Sequence, residues 1–461
     1  MIYAVAFTIV YTLRVFLKLN LWSTALLVMW GVFMLHKHKR IYHKMKFNQQ
    51  KFYEVSLYLD TLLYSFVKEE KVELAMRDVS QTLPAGRLKT LVDTVLDYMN
   101  MTFDEVELLE ESMAMIEQEY PCKRVRDVHK FITHVEYYGG DIEKPVNLLL
   151  ADKIRWEKRI KAAMAWRNKQ LIDIILSVIA SLIICSAIIY LPIADTDISQ
   201  HGFVQLFAVL LIIGDDWVIY CGQKYLAVDW IQWNFSQEEE AYAIKMERYY
   251  QYDEKKERKL SYWLGGVCGA LTLGAMLMRN QWLTLLGMAM TLFLWNQHRI
   301  GRQLAKKNLT KEIKYAFPNW LLDLVLLLQS ENVQVALQKS REYVPGVLRR
   351  DLYWLTERLE LQPESSEPYH AFLKDFAIPE IHSAMGILYS LSIGNSGNAE
   401  RQIGELVDKN LELLDTMESE RLRNAGNGMY VLFLIPVLTA SFKLVIDMIV
   451  LMLHFLQTPL I

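Results

Sequence analysis

The sequence predicts an all-α polytopic membrane protein with two cytoplasmic antiparallel helix bundles in a tandem repeat. Of its 461 residues, 52% are hydrophobic, and these collect in runs of about 17 to 30 residues. Between the runs lie two charged regions of about 130 residues each, in which apolar residues recur at helical spacing. The sequence has no run of alternating apolar and polar residues, so no strands are predicted. This pattern is not typical of a purely soluble enzyme, a coiled-coil rod or a disordered chain.

The apolar runs predict membrane spans, because a bilayer core about 30 Å thick takes about 20 helical residues. Clear runs are Leu171–Ile193, Phe203–Cys221, Met429–Leu456 and a hairpin of Tyr262–Met278 with Trp282–Trp295. At the start of the chain, Lys18 and Asn20 interrupt an apolar stretch from Ile2 to Leu35. We therefore expect two short arms that turn near Lys18–Asn20, and seven spans in all.

Lys and Arg near the ends of the spans predict the orientation. The segments His36–Lys46, Lys153–Lys169 and Arg299–Lys307 carry five, seven and four of these residues, whereas Ala194–Gly202 carries none. Both charged regions are therefore expected in the cytoplasm. With almost no polar mass expected outside, a receptor for external ligands is excluded.

These runs and regions predict seven segments. They are a membrane hairpin (1–36), a first cytoplasmic helix bundle (37–170), two transmembrane helices (171–222), a charged cytoplasmic helix linker (223–260), a transmembrane hairpin (261–298), a second cytoplasmic helix bundle (299–427) and a C-terminal transmembrane helix (428–461). In the linker, Ser236 and Glu239 have capping-box spacing and predict a helix that runs to about Lys259.

A weak internal repeat relates the two charged regions. Two 26-residue segments, 68–93 and 329–354, share five identities at a fixed offset. The pairs are Glu70 with Glu331, Val72 with Val333, Ala75 with Ala336, Pro84 with Pro345, and Leu91 with Leu352. From Asn48 to Asp152 there are 20 acidic and 11 basic residues, which favours either a solvated face or a docking surface for a basic partner.

Ionisable residues inside apolar runs are the candidate functional residues, because each costs about 2.5–3.5 kcal/mol at mid-bilayer. Asp215 and Asp216 lie in one run, and Lys443 and Asp447 lie four residues apart in another. They could form an ion path, a polar contact between membrane helices or a neutral structural pair. Separately, the spacing of Gly265 and Gly269 favours close packing of two membrane helices.

Motifs of catalysis are missing from the sequence. It contains no GxxxxGK[ST] phosphate loop, no HExxH zinc motif and no GxSxG nucleophile turn. Four scattered cysteines without a CxxC are expected to be small buried apolar residues. We therefore predict no catalytic, cofactor or metal residues and a protein that is not an enzyme.

The layout resembles the polytopic platform proteins of type II secretion, type IV pilus and Tad-type pilus machines. In this resemblance the chain corresponds to two type II secretion F-like units in tandem. One motif-like stretch opens a helix pair with Phe317-Pro318-Asn319-Trp320 and runs through Val335–Leu337 to Pro345. The other is a glycine break before a long helix, from Gly139 to Arg159 and from Gly397 to Arg423. The sequence departs from the family in having a hairpin before each bundle.

The resemblance implies a bacterial inner-membrane platform that couples a cytoplasmic assembly ATPase to pilin-like membrane subunits. It also implies self-association in the bilayer, and no direct nucleic-acid binding is expected. The alternative is a membrane transporter or channel that uses Asp215, Asp216, Lys443 and Asp447. A membrane enzyme with an unrecognised site is the least favoured class.

Overall fold

A computed structural model describes residues 2–101, 105–139, 142–187, 189–190, 198–231, 239–277, 281–328, 331–393 and 399–457. Every regular element in these ranges is helical and none is a strand. The prediction of an all-α protein is therefore confirmed for the described chain.

Seventeen α-helices occur in the described ranges. They are α1 (Ile2–Phe16), α2 (Leu21–Glu69), α3 (Val72–Thr82), α4 (Arg87–Met101), α5 (Glu105–Glu119), α6 (Lys123–Tyr138), α7 (Glu143–Ala187), α8 (Gly202–Leu226), α9 (Glu239–Tyr250), α10 (Glu254–Leu277), α11 (Gln281–Leu327), α12 (Val333–Lys339), α13 (Gly346–Leu361), α14 (Glu367–Ala371), α15 (Pro379–Ser392), α16 (Ala399–Gly426) and α17 (Gly428–Gln457). Short 3-10 turns cover Ile198–Gln200, Ser340–Tyr343 and Lys374–Phe376.

Three helical stretches of the described chain are long and apolar enough to cross a membrane. They are Glu143–Ala187, Gly202–Leu226 and Arg401–Leu453, and a shorter apolar helix covers Phe7–Phe16. The chain is therefore a membrane protein by the length and composition of its helices. The other expected spans, the sidedness and the tandem bundles stay predictions.

The N-terminal apolar stretch breaks at its polar residues. Helix α1 ends at Phe16 and α2 begins at Leu21, and Lys18 between them has a left-handed φ of 47°. Asn20 caps α2, because its side-chain oxygen accepts a hydrogen bond from the Ser23 amide at 2.8 Å. A short polar side chain that can cap a helix explains why the new helix starts there.

The chain divides into two compact units. Unit 1 comprises Met1–Tyr138, Leu149–Trp233 and Ser419–Ile461, and unit 2 comprises Gly139–Leu148 and Asn234–Glu418. Unit 1 therefore combines the first charged region with apolar helices from three separate parts of the sequence.

The polar half of unit 1 is held by a core along α2 and by buried ion pairs. Phe52, Tyr58 and Leu62 on α2 are fully buried, as expected for an apolar stripe at helical spacing. Arg124 of α6 makes two hydrogen bonds to Asp152 of α7, at 2.7 and 3.1 Å. Because both side chains are more than nine-tenths buried, this bidentate pair fixes α7 against α6.

Unit 2 has an aromatic core around Trp320 of α11. Trp320 stacks on Phe372 with ring centroids 6.0 Å apart, and both side chains are buried. Helix α11 continues through Pro318, whose carbonyl accepts a hydrogen bond from the Asn410 amide group of α16 at 2.9 Å. This contact joins the two long helices of the unit.

A helix, a proline break and a second helix occur at both repeated segments. Pro84 separates α3 from α4, and Pro345 separates the turn after α12 from α13. Ala75 and Ala336, an identical pair of the repeat, are both fully buried. Both residues of this matched pair therefore serve packing rather than chemistry.

Gly139 follows α6 with a φ of 68°, a backbone conformation that favours glycine. The partner break at Gly397 lies outside the described residues, as does Ser236, which opens the capping box predicted in the linker.

The predicted helix to Lys259 is wrong. Helix α9 ends at Tyr250, and a new helix, α10, begins at Glu254. The side chain of Asp253 accepts a hydrogen bond from the Lys255 amide at 3.0 Å, as a residue at a helix N-terminus does. This cap favours a new helix start at Asp253 over continuation of α9. The periodicity of apolar residues does not reveal such a cap, because it depends on a single aspartate.

Candidate functional site

The apolar helices of unit 1 pack closely where α7 and α8 meet. Gly222 of α8 lies beside Leu171 and Ile174 of α7, whose side chains would be 3.0 and 3.2 Å from a Cβ at that position. Ile174 also packs with Val218 of α8 and Met429 of α17 in a buried cluster. Two consecutive helices and one about 200 residues further along the chain therefore share one apolar interface.

Asp215 lies inside this three-helix interface. It is on α8 and only 2% exposed. Its Oδ2 accepts a hydrogen bond from the Ser181 hydroxyl of α7 at 3.1 Å. Its Oδ1 has no hydrogen-bond partner among the described residues. A buried carboxylate with one free oxygen is unusual, because buried polar groups normally find partners.

Lys443 and Asp447 form an ion pair within α17. The Lys443 Nζ lies 2.5 Å from the Asp447 Oδ2, and the two side chains are 2% and 1% exposed. Their spacing of four residues places them on one face of the helix, as the sequence predicts. The second oxygen of Asp447 has no hydrogen-bond partner in the described part of the chain.

Cys185 of α7 lies where α7 contacts both α8 and α17. Its thiol lies 3.9 Å from the Ala440 carbonyl of α17 and packs with Leu211 of α8. Ser181, which donates to Asp215, lies one turn before Cys185 on α7, and Lys443 lies three residues after Ala440 on α17. We call Ser181, Cys185, Asp215, Lys443 and Asp447 the polar cluster. The sequence shows each charge separately, and the fold brings them together.

Asp216 belongs to a different contact. Its Oδ2 accepts a hydrogen bond from the Trp30 indole of α2 at 3.0 Å, and its Oδ1 lies 3.2 Å from His38 Nε2. The other nitrogen of His38 lies 2.7 Å from Gln223 of α8. Successive residues on a helix point about 100° apart. The Asp215-Asp216 pair therefore binds α8 to helices on two sides.

Gly265 and Gly269 lie on α10 in unit 2, where α10 faces α11. A Cβ at Gly265 would be 3.3 Å from the Trp295 ring and 3.5 Å from its backbone nitrogen. At Gly269 the nearest atom, the Thr291 methyl carbon, would be 3.7 Å away. Close approach of the two helices therefore depends on Gly265 more than on Gly269. Neither glycine is near the polar cluster in sequence or belongs to its unit.

Gln205 is a polar residue of this membrane region that the sequence analysis missed. Its amide nitrogen donates to the carbonyls of Lys18 at 3.1 Å and Ser199 at 2.6 Å. Its oxygen accepts from the Asn20 amide at 3.1 Å. Gln205 thus holds the turn between α1 and α2 against the start of α8. Its position in an apolar run was the available signal.

The polar cluster has the chemistry of a helix–helix contact with one uncompensated carboxylate. Among the described residues, no group of three or more His, Cys, Asp or Glu side chains could hold a metal ion. The four cysteines are free thiols. No family model, curated protein or solved structure matches this chain.

Proposed function

We propose that the chain is an inner-membrane platform protein of a pilus or secretion apparatus, possessing no enzymatic activity of its own. In this role it couples a cytoplasmic assembly ATPase to the export or assembly of pilin-like membrane subunits. One observation carries the proposal: membrane-length apolar stretches continue into polar helices without a break, as in α7, which has 45 residues.

The length of α7 supports mechanical coupling. Forty-five residues extend about 67 Å, about twice the thickness of the bilayer core. The polar half is tied to α6 by Asp152, which pairs with Arg124, and to α2 by Lys153, whose Nζ lies 2.5 Å from Asp60. A displacement of the polar helices would therefore be passed along a stiff helix to the apolar half.

A partner has to supply the energy in this proposal, because the sequence carries no phosphate-binding loop. The proposed partners are a ring-shaped assembly ATPase in the cytoplasm, pilin-like subunits in the membrane, the lipid bilayer and a second copy of the chain. Direct binding to nucleic acid is not part of the proposal.

The test is a pull-down from membranes in mild detergent, with the intact protein as bait. We expect an assembly ATPase to be enriched and the purified chain to hydrolyse no ATP by itself. Failure to enrich any such ATPase, or ATP turnover by the chain alone, would contradict the proposal.

A helix-breaking variant tests the coupling itself. Asn168 is an exposed residue of α7 near the start of the apolar half. Asn168→Pro should interrupt the helix, at a cost of about 3 kcal/mol, and abolish subunit export while leaving the ATPase bound. Asn168→Ala is the matched control and should leave export unchanged. Equal export by both variants would argue against transmission through α7.

The alternative, a transporter or channel, is favoured by the free carboxylate oxygens of Asp215 and Asp447. Buried carboxylates without full hydrogen bonding can take up a cation or a proton. Ion or proton flux into proteoliposomes that Asp215→Asn abolishes, and Asp216→Asn preserves, would support transport. Unchanged export in cells that carry Asp215→Asn would instead support the platform.

A further inference from the structure

A basic groove lies between α9 and α11 in unit 2. It encloses about 550 Å³, within the usual range for small-molecule sites. One face of each helix lines it. On α11 the lining positions include 301, 302, 305, 308, 309 and 312, which recur at helical spacing. The groove is therefore formed by one face of α9 and one face of α11.

Small residues open the space. Gly301 and Ala305 lie one turn apart on the lining face of α11, and a Cβ added at Gly301 would have no atom within 4 Å. Leu309 is 3% exposed and closes the groove one turn further on. A larger side chain at Gly301 would fill the groove without disturbing a packed neighbour.

The lining is strongly cationic. Lys245, Arg248, Arg302 and Lys311 contribute four positive charges, and Glu312 is the one acidic residue among the described residues of the lining. Convergent Lys and Arg side chains favour a ligand with negative charge, and guanidinium groups suit phosphate oxygens in particular.

Tyrosines position two of these cations. The Arg302 guanidinium lies 5.3 Å from the Tyr252 ring centroid, and the Lys245 ammonium lies 4.4 Å from that of Tyr242. These cation–π contacts orient the charges at the groove. Tyrosine also suits a membrane–water boundary, where an apolar ring and a polar hydroxyl each meet a favourable environment.

The near end of the groove lies just beyond the expected layer of lipid headgroups, at a distance that the long side chains of Arg and Lys can cover. Helix α11 is continuous from its apolar part, which reaches Trp295, to Arg302. Seven residues of helix correspond to about 10 Å along the axis. The headgroup layer extends about 5–8 Å beyond each face of the hydrocarbon core. Leu292, Phe293 and Trp295 are 65%, 55% and 48% exposed, and offer an apolar surface to acyl chains.

We propose that this groove binds the phosphate headgroup of an anionic phospholipid, with the acyl chains along the apolar part of α11. The basic side chains contact the phosphate, and the Asn308 amide on the lining contacts headgroup hydroxyls. This proposal is independent of the platform function, because it rests only on α9 and α11.

The test is native mass spectrometry of the full chain in detergent, titrated with phosphatidylglycerol or phosphatidylcholine. We expect saturable binding of one phosphatidylglycerol and no matching site for phosphatidylcholine. Lys245→Glu with Arg302→Glu should weaken this binding about tenfold or more. Lys306→Glu with Lys307→Glu makes the same change of charge on α11 outside the lining, and should weaken it by less than about twofold.

A second variant separates shape from charge. Gly301→Leu should remove the phosphatidylglycerol site with all charges retained. Gly404→Leu is its control, because Gly404 also has open space around it and lies on α16. Equal losses in both charge variants, or full binding by Gly301→Leu, would overturn the proposal. Displacement of the lipid by millimolar inorganic phosphate would overturn the lipid assignment in favour of a free anion.

Discussion

Lys443 and Asp447 compensate each other's charge where neither side chain reaches solvent. Removing charge from water is costly, and the attraction between paired groups recovers that cost only while both are present. The ion pair therefore matters chiefly because loss of either member leaves the other charge buried and alone.

We expect Asp447→Asn and Lys443→Met each to destabilise the protein by about 3–5 kcal/mol. The double variant Lys443→Met with Asp447→Leu should be less destabilised than either single variant. Thermal unfolding in detergent measures this cycle. Arg401 and Glu405 provide a control with the same spacing, since their side chains are 77% and 54% exposed. Breaking that pair should cost at most about 0.5 kcal/mol. Additive effects at Lys443 and Asp447 would show that the pair is not coupled.

Asp351 of α13 is a partly buried carboxyl group in unit 2. Burial raises its pKa to about 6, against a hydrogen bond from the Tyr250 hydroxyl at 3.1 Å and the charge of Arg350, which lower it. Nearby Asp375 raises it further. The folded protein therefore holds a proton on Asp351 more tightly than the unfolded chain does.

We expect the wild-type chain to gain stability relative to Asp351→Asn as the pH falls from about 7 to about 4. The reason is linkage: a raised pKa in the folded state favours folding below that pKa, and this advantage is lost as the pH rises through it. The gain should be at most about 3 kcal/mol. Unfolding temperatures of both proteins across this pH range measure it, and a constant difference between them would refute the pKa assignment.

At the scale of elements, the α10–α11 hairpin depends on which glycine faces its partner. Gly265 meets the Trp295 ring and backbone, whereas its neighbour Gly266 has no atom within 4 Å of a Cβ position. The sequence indicates close packing through glycine but does not say which glycine of the pair makes the contact.

Gly265→Leu should destabilise the protein by about 1–3 kcal/mol, because the side chain would force α10 away from Trp295. Gly266→Leu is the matched control and should be neutral or stabilising by up to about 1 kcal/mol, since leucine favours helix over glycine. Thermal unfolding in detergent compares them. A larger loss in Gly266→Leu would mean that α10 is rotated from the orientation described above.

For the whole molecule, the distribution of Lys and Arg predicts the sidedness. Lys44 and Lys306 lie in basic flanks, and His201 lies in Ala194–Gly202, the segment without Lys or Arg. All three side chains are exposed. The expected topology therefore places the first two positions in the cytoplasm and the third outside.

Single-cysteine variants at these three positions test the topology, with the four native cysteines replaced by alanine. An impermeant maleimide should label position 201 from the outside of intact cells. It should label positions 44 and 306 only in inverted vesicles. Labelling of position 44 or 306 in intact cells would contradict the expected arrangement.

The sequence alone determines the features that depend on local spacing. The helical class, the break near Lys18–Asn20 and the pairing of Lys443 with Asp447 all follow from neighbours along the chain, where periodicity and capping act. The end of α9 was not predicted, because the charged segment up to Lys259 has a continuous helical pattern. The break depends on Asp253, a single capping residue.

Only the tertiary structure decides which distant residues meet. The packing of α7, α8 and α17 places Asp215 against Ser181 and the Ala440 carbonyl against Cys185, while Asp216 contacts α2. Likewise, the contact of Gln205 with the first turn and the groove between α9 and α11 arise from helix faces far apart in sequence. Local pattern specifies which face of a helix is apolar, but packing against other helices selects the partner of each polar side chain.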